Sequence, residues 1–270
     1  MVLKTVPLSF KGDQDMKTKL FTILAVLILA GCASTTPMPT PAPTATLQPP
    51  PTPVSTETAV PTLEPLESIR HLALGDSYTI GEKVAISDRW PNQLADMLVL
   101  QGISSEVTFI ARTGWTADEL WRGIQAKPPD GTYDLVTLLI GVNDQYRGYP
   151  IEGYREDFRF MLGKAIEYAG GNVNRVVVLS IPDWGFTPFA ATGDTEPISR
   201  QIDAFNAVNF EETEAAGAHY VDVTEISRMA MDDFELITGD QLHPSGKMYA
   251  MWAQEVLPVV LEILMADRTP

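Results

Sequence analysis

From about residue 69 onward, five continuous apolar runs alternate with segments whose apolar residues recur at helical spacing. Continuous apolarity is typical of strands covered on both faces, as in a parallel sheet, whereas the helical spacing predicts amphipathic helices. The predicted strands are 69–74, 106–111, 134–140, 175–181 and 218–223. The predicted helices are 90–100, 116–125, 150–169, 198–216 and 245–266.

The alternation of strands and helices predicts the class of the fold. It favours a doubly wound α/β sandwich with a sheet of five parallel strands between two layers of helices. Right-handed crossovers would bring the carboxyl ends of all five strands to one edge of the sheet, where such folds place their ligands. The polar residues that follow the strands therefore indicate the function.

The N-terminal segment has a different pattern. A short basic stretch at 16–19 precedes eleven uniformly apolar residues at 20–30. This length suits the apolar core of a signal peptide and is too short to span a bilayer. The run ends in LAGC at 29–32, which resembles the lipobox of bacterial lipoproteins, and Cys32 is the only cysteine of the chain.

This resemblance implies a lipoprotein signal peptide over 1–31 that is cut before a lipidated Cys32. Initiation at Met16 would give a signal of more usual length. We expect an extracytoplasmic protein that is anchored to a bacterial membrane through this lipid alone. The alternative is an uncleaved hydrophobic anchor with a chance cysteine.

A Pro/Thr-rich linker is expected to follow, so that residues 32–66 form a lipidated cysteine and a tether. Residues 33–66 hold ten of the 21 prolines, eleven serines and threonines, and only two charges. Such a segment cannot bury a core and favours extended polyproline II, with a reach on the order of 100 Å. The folded domain is therefore predicted to be 67–270.

Charge and cysteine content exclude several functions. The net charge of −16 argues against nucleic acid as a partner, because neutralising phosphates requires Lys and Arg. It also disfavours a basic surface that would hold the domain on anionic lipid. A single cysteine allows no internal disulfide and no cysteine-based metal cluster. The sequence leaves the oligomeric state open.

Ser77 follows the first predicted strand and is a candidate nucleophile, although it could equally be a turn residue. A serine hydroxyl needs a base, and His243 is the best of the three histidines. His71 and His219 lie in predicted strands and are interpreted as structural. Asp240 is close enough to His243 for its carboxylate to reach the imidazole and fix its tautomer. Alone, Asp-x-x-His is equally compatible with a helix cap beside a surface histidine.

Three groups could donate hydrogen bonds to an oxyanion: the backbone N–H of Ser77, the backbone N–H of Gly114 and the side-chain amide of Asn143. Gly114 could also be a plain turn residue and Asn143 could form an Asx-turn. These residues follow successive strands in order, which favours a joint role. The G-x-S-x-G motif is missing, and this excludes the α/β-hydrolase fold.

Four sequence blocks resemble those of the SGNH hydrolases, also called GDSL-type lipases/esterases, over nearly all of 69–266. The blocks are GDS at 75–77, Gly114, GVND at 141–144 and DQLHP at 240–244. The resemblance implies a flavodoxin-like sandwich without metal or other cofactor. It also implies Ser77 as nucleophile, Gly114 and Asn143 in the oxyanion hole, and His243 and Asp240 as the rest of a triad. Asp76 is expected to cap the turn that carries the serine.

The expected activity is hydrolysis of a small or short-acyl ester, linked to a lipid, a lysophospholipid or a carbohydrate, through an acyl-enzyme. One alternative is a carbohydrate O-acyltransferase that uses the same triad, and another is a non-catalytic ligand-binding module. No phosphate-binding or dinucleotide-binding glycine motif is present. The candidate substrate pocket comprises Trp115, Gln145, Trp184 and Phe186; Phe189, Tyr146 and Arg147 are further candidates for contacts with the substrate.

Overall fold

The computed structural model describes residues 67–191 and 193–266. The predicted signal peptide, Cys32 and the linker lie outside the described residues. The described part of the chain contains a five-stranded sheet in which every pairing is parallel. The strands are β1 Glu67–Gly75, β2 Ile103–Ala111, β3 Leu135–Leu139, β4 Val176–Leu179 and β5 His219–Val221.

Five long helices occupy the predicted positions, and three short ones follow strand ends. The long helices are α2 Trp90–Val99, α3 Ala117–Ala126, α5 Ile151–Tyr168, α6 Glu196–Ala216 and α8 Gly246–Ala266. The short helices are α1 Ser77–Ile80, α4 Val142–Tyr146 and α7 Thr224–Arg228. Single 3₁₀ turns lie at Ile86–Asp88, Val173–Arg175, Trp184–Phe186, Met229–Met231 and Phe234–Leu236.

The strand order is β2-β1-β3-β4-β5, which is the flavodoxin-like order of a doubly wound sheet. The chain moves from β1 to one edge of the sheet and then returns across it, so right-handed crossovers place the helices on opposite faces. Accordingly α2 packs against α8, and α5 packs against both α3 and α6. The predicted fold class is confirmed.

The sheet is covered on both faces, as its continuous apolar strands predict. All described residues of β3 and β4 are buried. Among the described residues, α8 is the only helix that has the length and apolar composition to cross a membrane. Tyr249, Trp252 and Val260 on this helix have no exposed surface. We therefore interpret α8 as a core helix of the folded domain.

The carboxyl ends of three strands stop at the same level. Gly75, the last residue of β1, pairs with Ala111 at the end of β2 and with Leu139 at the end of β3. A Cβ atom on Gly75 would clash with the Leu139 carbonyl oxygen and with the Thr79 hydroxyl. Glycine is therefore needed here because the backbone of β3 and the first turn of α1 approach the chain closely.

We predict that Gly75→Ala lowers the free energy of unfolding by about 3 kcal/mol, because a backbone carbonyl cannot move aside as a flexible side chain can. Gly163→Ala is the matched control, since Gly163 is exposed inside α5 with nothing near its missing Cβ. This control should be stabilised by about 1 kcal/mol. Denaturant unfolding measures both values, and equal stabilities for the two variants would contradict the close approach at Gly75.

Candidate active site

Asp76 and Ser77 form the turn that leads from β1 into α1. Asp76 is the N-cap of this helix, and its Oδ1 accepts a hydrogen bond of 3.0 Å from the backbone N–H of Tyr78. Burial raises the pKa of Asp76 to about 8, because no cation compensates for the lost hydration. Ser77 is the first residue of α1 and is 5% exposed. The expected capping role of Asp76 is confirmed.

Asn143 lies in the first turn of α4 and links two neighbouring strand ends. Its side-chain nitrogen Nδ2 donates hydrogen bonds to the carbonyl oxygen of Trp115 at 2.9 Å and to Asp76 Oδ2 at 3.3 Å. The side chain therefore lies between the turn after β1 and the loop after β2. The side chain can reach both because β1, β2 and β3 end side by side, at Gly75, Ala111 and Leu139.

The loop that carries Gly114 is also held by hydrogen bonds at Thr113 and at Gly114 itself. The Thr113 hydroxyl donates a hydrogen bond to the Glu82 carboxylate. Arg147 Nη2 donates to the carbonyl oxygen of Gly114 at 2.5 Å, while Arg147 Nη1 forms an ion pair of 3.1 Å with Glu119. Gly114 itself has φ +85°, a conformation that favours glycine. The position of this backbone segment is thus fixed from α4 and from α3.

A capping box at the start of α3 supports the same arrangement. The Thr116 N–H donates a hydrogen bond of 3.1 Å to Glu119, and the reciprocal bond from the N3 backbone to the Thr116 side chain is also present. Glu119 therefore serves both the helix cap and the ion pair with Arg147. The pKa of Glu119 is lowered, first by its hydrogen bond to Arg147.

Asp240 and His243 form a hydrogen-bonded pair in the loop before α8. His243 Nδ1 lies 2.7 Å from Asp240 Oδ2. Asp240 Oδ1 accepts hydrogen bonds from the backbone N–H groups of Leu242 at 3.0 Å and His243 at 2.9 Å, and from the Thr238 hydroxyl at 2.8 Å. Partial burial opposes ionisation of Asp240, but these hydrogen bonds outweigh it and lower the pKa to about 2.

One cavity of about 220 Å³ brings together Ser77, Gly114, Asn143 and His243. The serine hydroxyl and the imidazole are not hydrogen-bonded to each other among the described residues. In substrate-free structures such catalytic hydrogen bonds are often long and tighten when substrate binds. The cavity is therefore a place where one ligand could meet all four residues.

The other two histidines lie away from this cavity. His71 is fully buried in β1, its Nε2 is 2.9 Å from the Thr137 hydroxyl, and burial lowers its pKa to about 3. His219 opens β5 at the far edge of the sheet. Their interpretation as structural residues agrees with these positions.

The candidate pocket residues divide into two groups. Trp184 lines the cavity, and its indole Nε1 donates a hydrogen bond of 2.8 Å to Gln145 Oε1, so Gln145 holds a wall residue in place. Gln145 itself does not line the cavity, and neither do Trp115 and Phe186, so the prediction that these three residues form the pocket wall is wrong. The Trp115 indole covers Gly123 on α3, and the Phe186 ring lies under the guanidinium of Arg228, 5.8 Å away.

Sequence reasoning did not indicate several residues that line the cavity. They are Tyr78, Thr113, Val142 and Leu242. Each is next to a residue of one of the four sequence blocks, and that proximity was the available signal. Among the described residues, no group of three His, Cys, Asp or Glu side chains could hold a metal ion.

Comparison with known families assigns the domain. The model of the GDSL-like lipase/acylhydrolase family matches residues 73–251, which include all the residues brought together at the cavity. The chain belongs to this family. The family is one of ester hydrolases, and the predicted family resemblance is confirmed.

Known relatives agree with the membership in this GDSL-like family. An arylesterase from Vibrio mimicus is 31% identical over 117 residues, which are 42% of this chain and 56% of the arylesterase. The match thus spans just over half the length of that relative.

Solved structures share the fold of this GDSL-like domain. The crystal structure of TesA aligns with a TM-score of 0.57 at 20% identity, over 72% of this chain and 99% of TesA. Esterase EstA from Pseudoalteromonas sp. aligns at 0.57 and 17% identity, over 73% and 98% of the two chains. Axe2, an acetylxylan esterase from Geobacillus stearothermophilus, aligns at 0.57 and 17% identity, over 73% and 96%.

We predict a pH-dependent contribution of Asp240 to stability. Its pKa of about 2 lies below the ordinary 3.8, so its ionisation stabilises the fold above the ordinary value, and this stabilisation is lost as the pH falls through the folded pKa. The difference in unfolding free energy between wild type and Asp240→Asn should therefore be largest near neutrality and shrink between about pH 5 and pH 2. Denaturant unfolding across this range measures it.

The control for this experiment is Asp96→Asn, because Asp96 is an exposed residue of α2. The difference in unfolding free energy between wild type and Asp96→Asn should not show the change with pH that is expected for Asp240→Asn. A pH-independent difference for Asp240→Asn would contradict the assignment of these hydrogen bonds to the ionised carboxylate.

Proposed function

We propose that this domain is a serine ester hydrolase that cleaves small or short-acyl esters through an acyl-enzyme on Ser77. The observation that carries the proposal is the shared cavity, which joins Ser77 to His243 and to the donors Gly114 and Asn143. A hydroxyl, a base oriented by a carboxylate and convergent donors are the components that acyl transfer requires. Their presence also favours an enzyme over a non-catalytic binding module.

The first half of the reaction forms the acyl-enzyme. His243 Nε2 accepts the proton of Ser77 while the serine Oγ attacks the ester carbonyl carbon. The carbonyl oxygen becomes an oxyanion that accepts hydrogen bonds from the backbone N–H groups of Ser77 and Gly114 and from the Asn143 amide. Asn143 exchanges its longer hydrogen bond, 3.3 Å to Asp76, for the one to the oxyanion. The imidazolium of His243 then protonates the leaving alcohol as the C–O bond breaks. In the second half, His243 Nε2 takes a proton from a water molecule while the water oxygen attacks the acyl carbon. The bond to Ser77 Oγ then breaks, the imidazolium returns its proton to Oγ, and the acyl group leaves as a carboxylic acid.

Asp240 fixes the state of the base. Its carboxylate lies at Nδ1 of His243, which keeps the proton on that nitrogen and leaves Nε2 free to accept one from Ser77. The low pKa of about 2 keeps Asp240 ionised wherever the imidazole is neutral, so it can stabilise the imidazolium formed during the reaction. Removing the carboxylate should therefore weaken the base without removing the nucleophile.

The size of the cavity favours a short acyl group. An apolar cavity of about 150 Å³ accommodates a benzene molecule. The volume of about 220 Å³ is therefore sufficient for one ring together with an acetyl group. The similarity to an arylesterase and to an acetylxylan esterase supports the same size class.

We expect Ser77→Ala to lower turnover of p-nitrophenyl acetate by at least about 10³-fold, because the nucleophile is lost. His243→Ala should have a comparable effect, and Asp240→Ala a smaller one. A fluorophosphonate probe should label wild type on Ser77 and leave Ser77→Ala unlabelled. Ser87→Ala, which changes an exposed serine, should keep both the turnover of p-nitrophenyl acetate and the labelling by the probe. Unchanged turnover in a folded Ser77→Ala variant would overturn the proposed mechanism.

We further propose that the domain acts outside the cytoplasm, tethered to a bacterial membrane by lipid on Cys32. Residues 29–32 and the Pro/Thr-rich stretch 33–66 support this proposal. Cys32→Ser should move the protein from the membrane fraction to the soluble fraction in cell fractionation, because a lipidated thiol no longer forms. Ser77→Ala should remain in the membrane fraction. Retention of Cys32→Ser at the membrane would instead support an uncleaved anchor.

A further inference from the structure

Three aromatic side chains form one wall of the cavity: Tyr146, Trp184 and Phe189. Trp184 meets the Tyr146 ring edge-on at 5.4 Å between centroids and the Phe189 ring at 6.1 Å. Tyr146 is 60% exposed and Phe189 46% exposed. Aromatic surface left in water at the mouth of a cavity indicates a place where a ligand covers it. We call these three residues the aromatic wall.

The central residue of the aromatic wall has a fixed orientation. The indole N–H of Trp184 donates to Gln145 Oε1, and Gln145 Nε2 donates at 2.8 Å to Gln201 Oε1 on α6. The only polar atom of the Trp184 side chain thus already has a hydrogen-bond partner within the protein. A ligand in the cavity meets the apolar surface of the indole rather than a hydrogen-bond donor.

The aromatic wall is connected to the loop that carries the base. The backbone N–H of Phe189 donates at 2.9 Å to the carbonyl oxygen of Gln241, two residues before His243. Leu242 lines the cavity between them. Because His243 gives its proton to the leaving alcohol, a group that lies against this side of the cavity belongs to the alcohol part of the ester.

The cavity lining offers a ligand no ion pair with a carboxylate, lysine or arginine side chain. Among the described residues that line it there is no Lys, Arg, Asp or Glu. Several charged side chains next to the lining have partners of their own. Asp240 contacts His243, and Glu82 holds Thr113 and is paired with Lys83. Arg147 is paired with Glu119. An anionic leaving group would therefore lose hydration without gaining a Lys or Arg partner among the residues that line the cavity.

We propose that the aromatic wall binds the alcohol part of the substrate as an uncharged ring, so the preferred substrates are short-acyl esters of phenols or sugars. Both kinds of alcohol share the required chemistry, a ring with an apolar face that packs on an aromatic side chain. This inference rests on the proposed ester hydrolysis and adds the class of leaving group.

The test compares kcat/KM for esters that place a ring in different positions. Phenyl acetate carries the ring in the alcohol, ethyl acetate carries none, and ethyl benzoate carries it in the acyl group. Trp184→Leu should lower kcat/KM for phenyl acetate about tenfold more than for ethyl acetate, since a lost ring contact is worth about 1.4 kcal/mol. Comparing the ratio between proteins cancels the different intrinsic reactivities of the esters.

Trp121→Leu is the matched control, because Trp121 packs against Phe160 on another face of the domain. It should leave the phenyl-to-ethyl ratio unchanged. Wild type should also cleave the acetyl ester of 4-hydroxybenzenesulfonate at least about tenfold less efficiently than phenyl acetate, although its leaving group is the more reactive. An acetylated methyl glycoside distinguishes the two classes of alcohol. If Trp184→Leu lowers kcat/KM more for phenyl acetate, the alcohol is a phenol; if it lowers kcat/KM more for the glycoside ester, the alcohol is a sugar.

Two outcomes would overturn the inference while leaving the proposed function intact. The first is an equal loss of phenyl and ethyl acetate turnover in Trp184→Leu, and the second is a larger loss for ethyl benzoate. In both cases a small alkyl fluorophosphonate would still label Ser77. Failure of the probe to label wild type would instead overturn the proposed function, and the inference with it.

Discussion

Parallel pairing of β1 with both β2 and β3 at Gly75 aligns three strand ends, and the positions of Ser77, Gly114 and Asn143 in the candidate site depend on this alignment. Ser77 follows Gly75 by two residues, Gly114 follows Ala111 by three, and Asn143 follows Leu139 by four. A slip of β1 by one residue would reverse which face of the sheet each of its side chains occupies. The buried apolar runs of the sheet prevent such a slip, so the packing of the core fixes the position of the polar groups.

The site contains two aspartates whose surroundings give them opposite protonation states. Asp240 receives four hydrogen bonds and has a pKa of about 2, whereas the buried Asp76 has a pKa raised to about 8. Near neutrality Asp240 is therefore a carboxylate beside the imidazole, and Asp76 is mostly a neutral acid. A neutral Asp76 beneath Asn143 adds no negative charge at the place where the carbonyl oxygen would become an anion.

The sequence permitted accurate predictions where the physical signal is long or repeated. The strands and the five long helices could be predicted because each has a continuous apolar run or several turns of amphipathic spacing. The short helices α1, α4 and α7 could not, because four or five residues are too few for such spacing. The correct placement of Trp184 and the wrong placement of Trp115 and Phe186 have a common cause. In a loop, the direction of a side chain depends on tertiary partners, here Gln145, Gly123 and Arg228.

The loop that carries Gly114 and the segment after β4 differ in how far their sequences can change without disturbing the site. Asn143 on α4 and Arg147, the residue directly after that helix, bond to this loop at Trp115 and Gly114, so α4 and the loop form one unit. The segment after β4 is instead tied to α7 through the ion pair of Asp183 with Arg228. The contact of residues 187–190 with the loop that carries His243 is made by the backbone N–H of Phe189, not by its side chain. Evolution could therefore exchange the side chains at 187–190 and alter the surface that a ligand meets, while the positions of Ser77, Asn143 and His243 stay as they are.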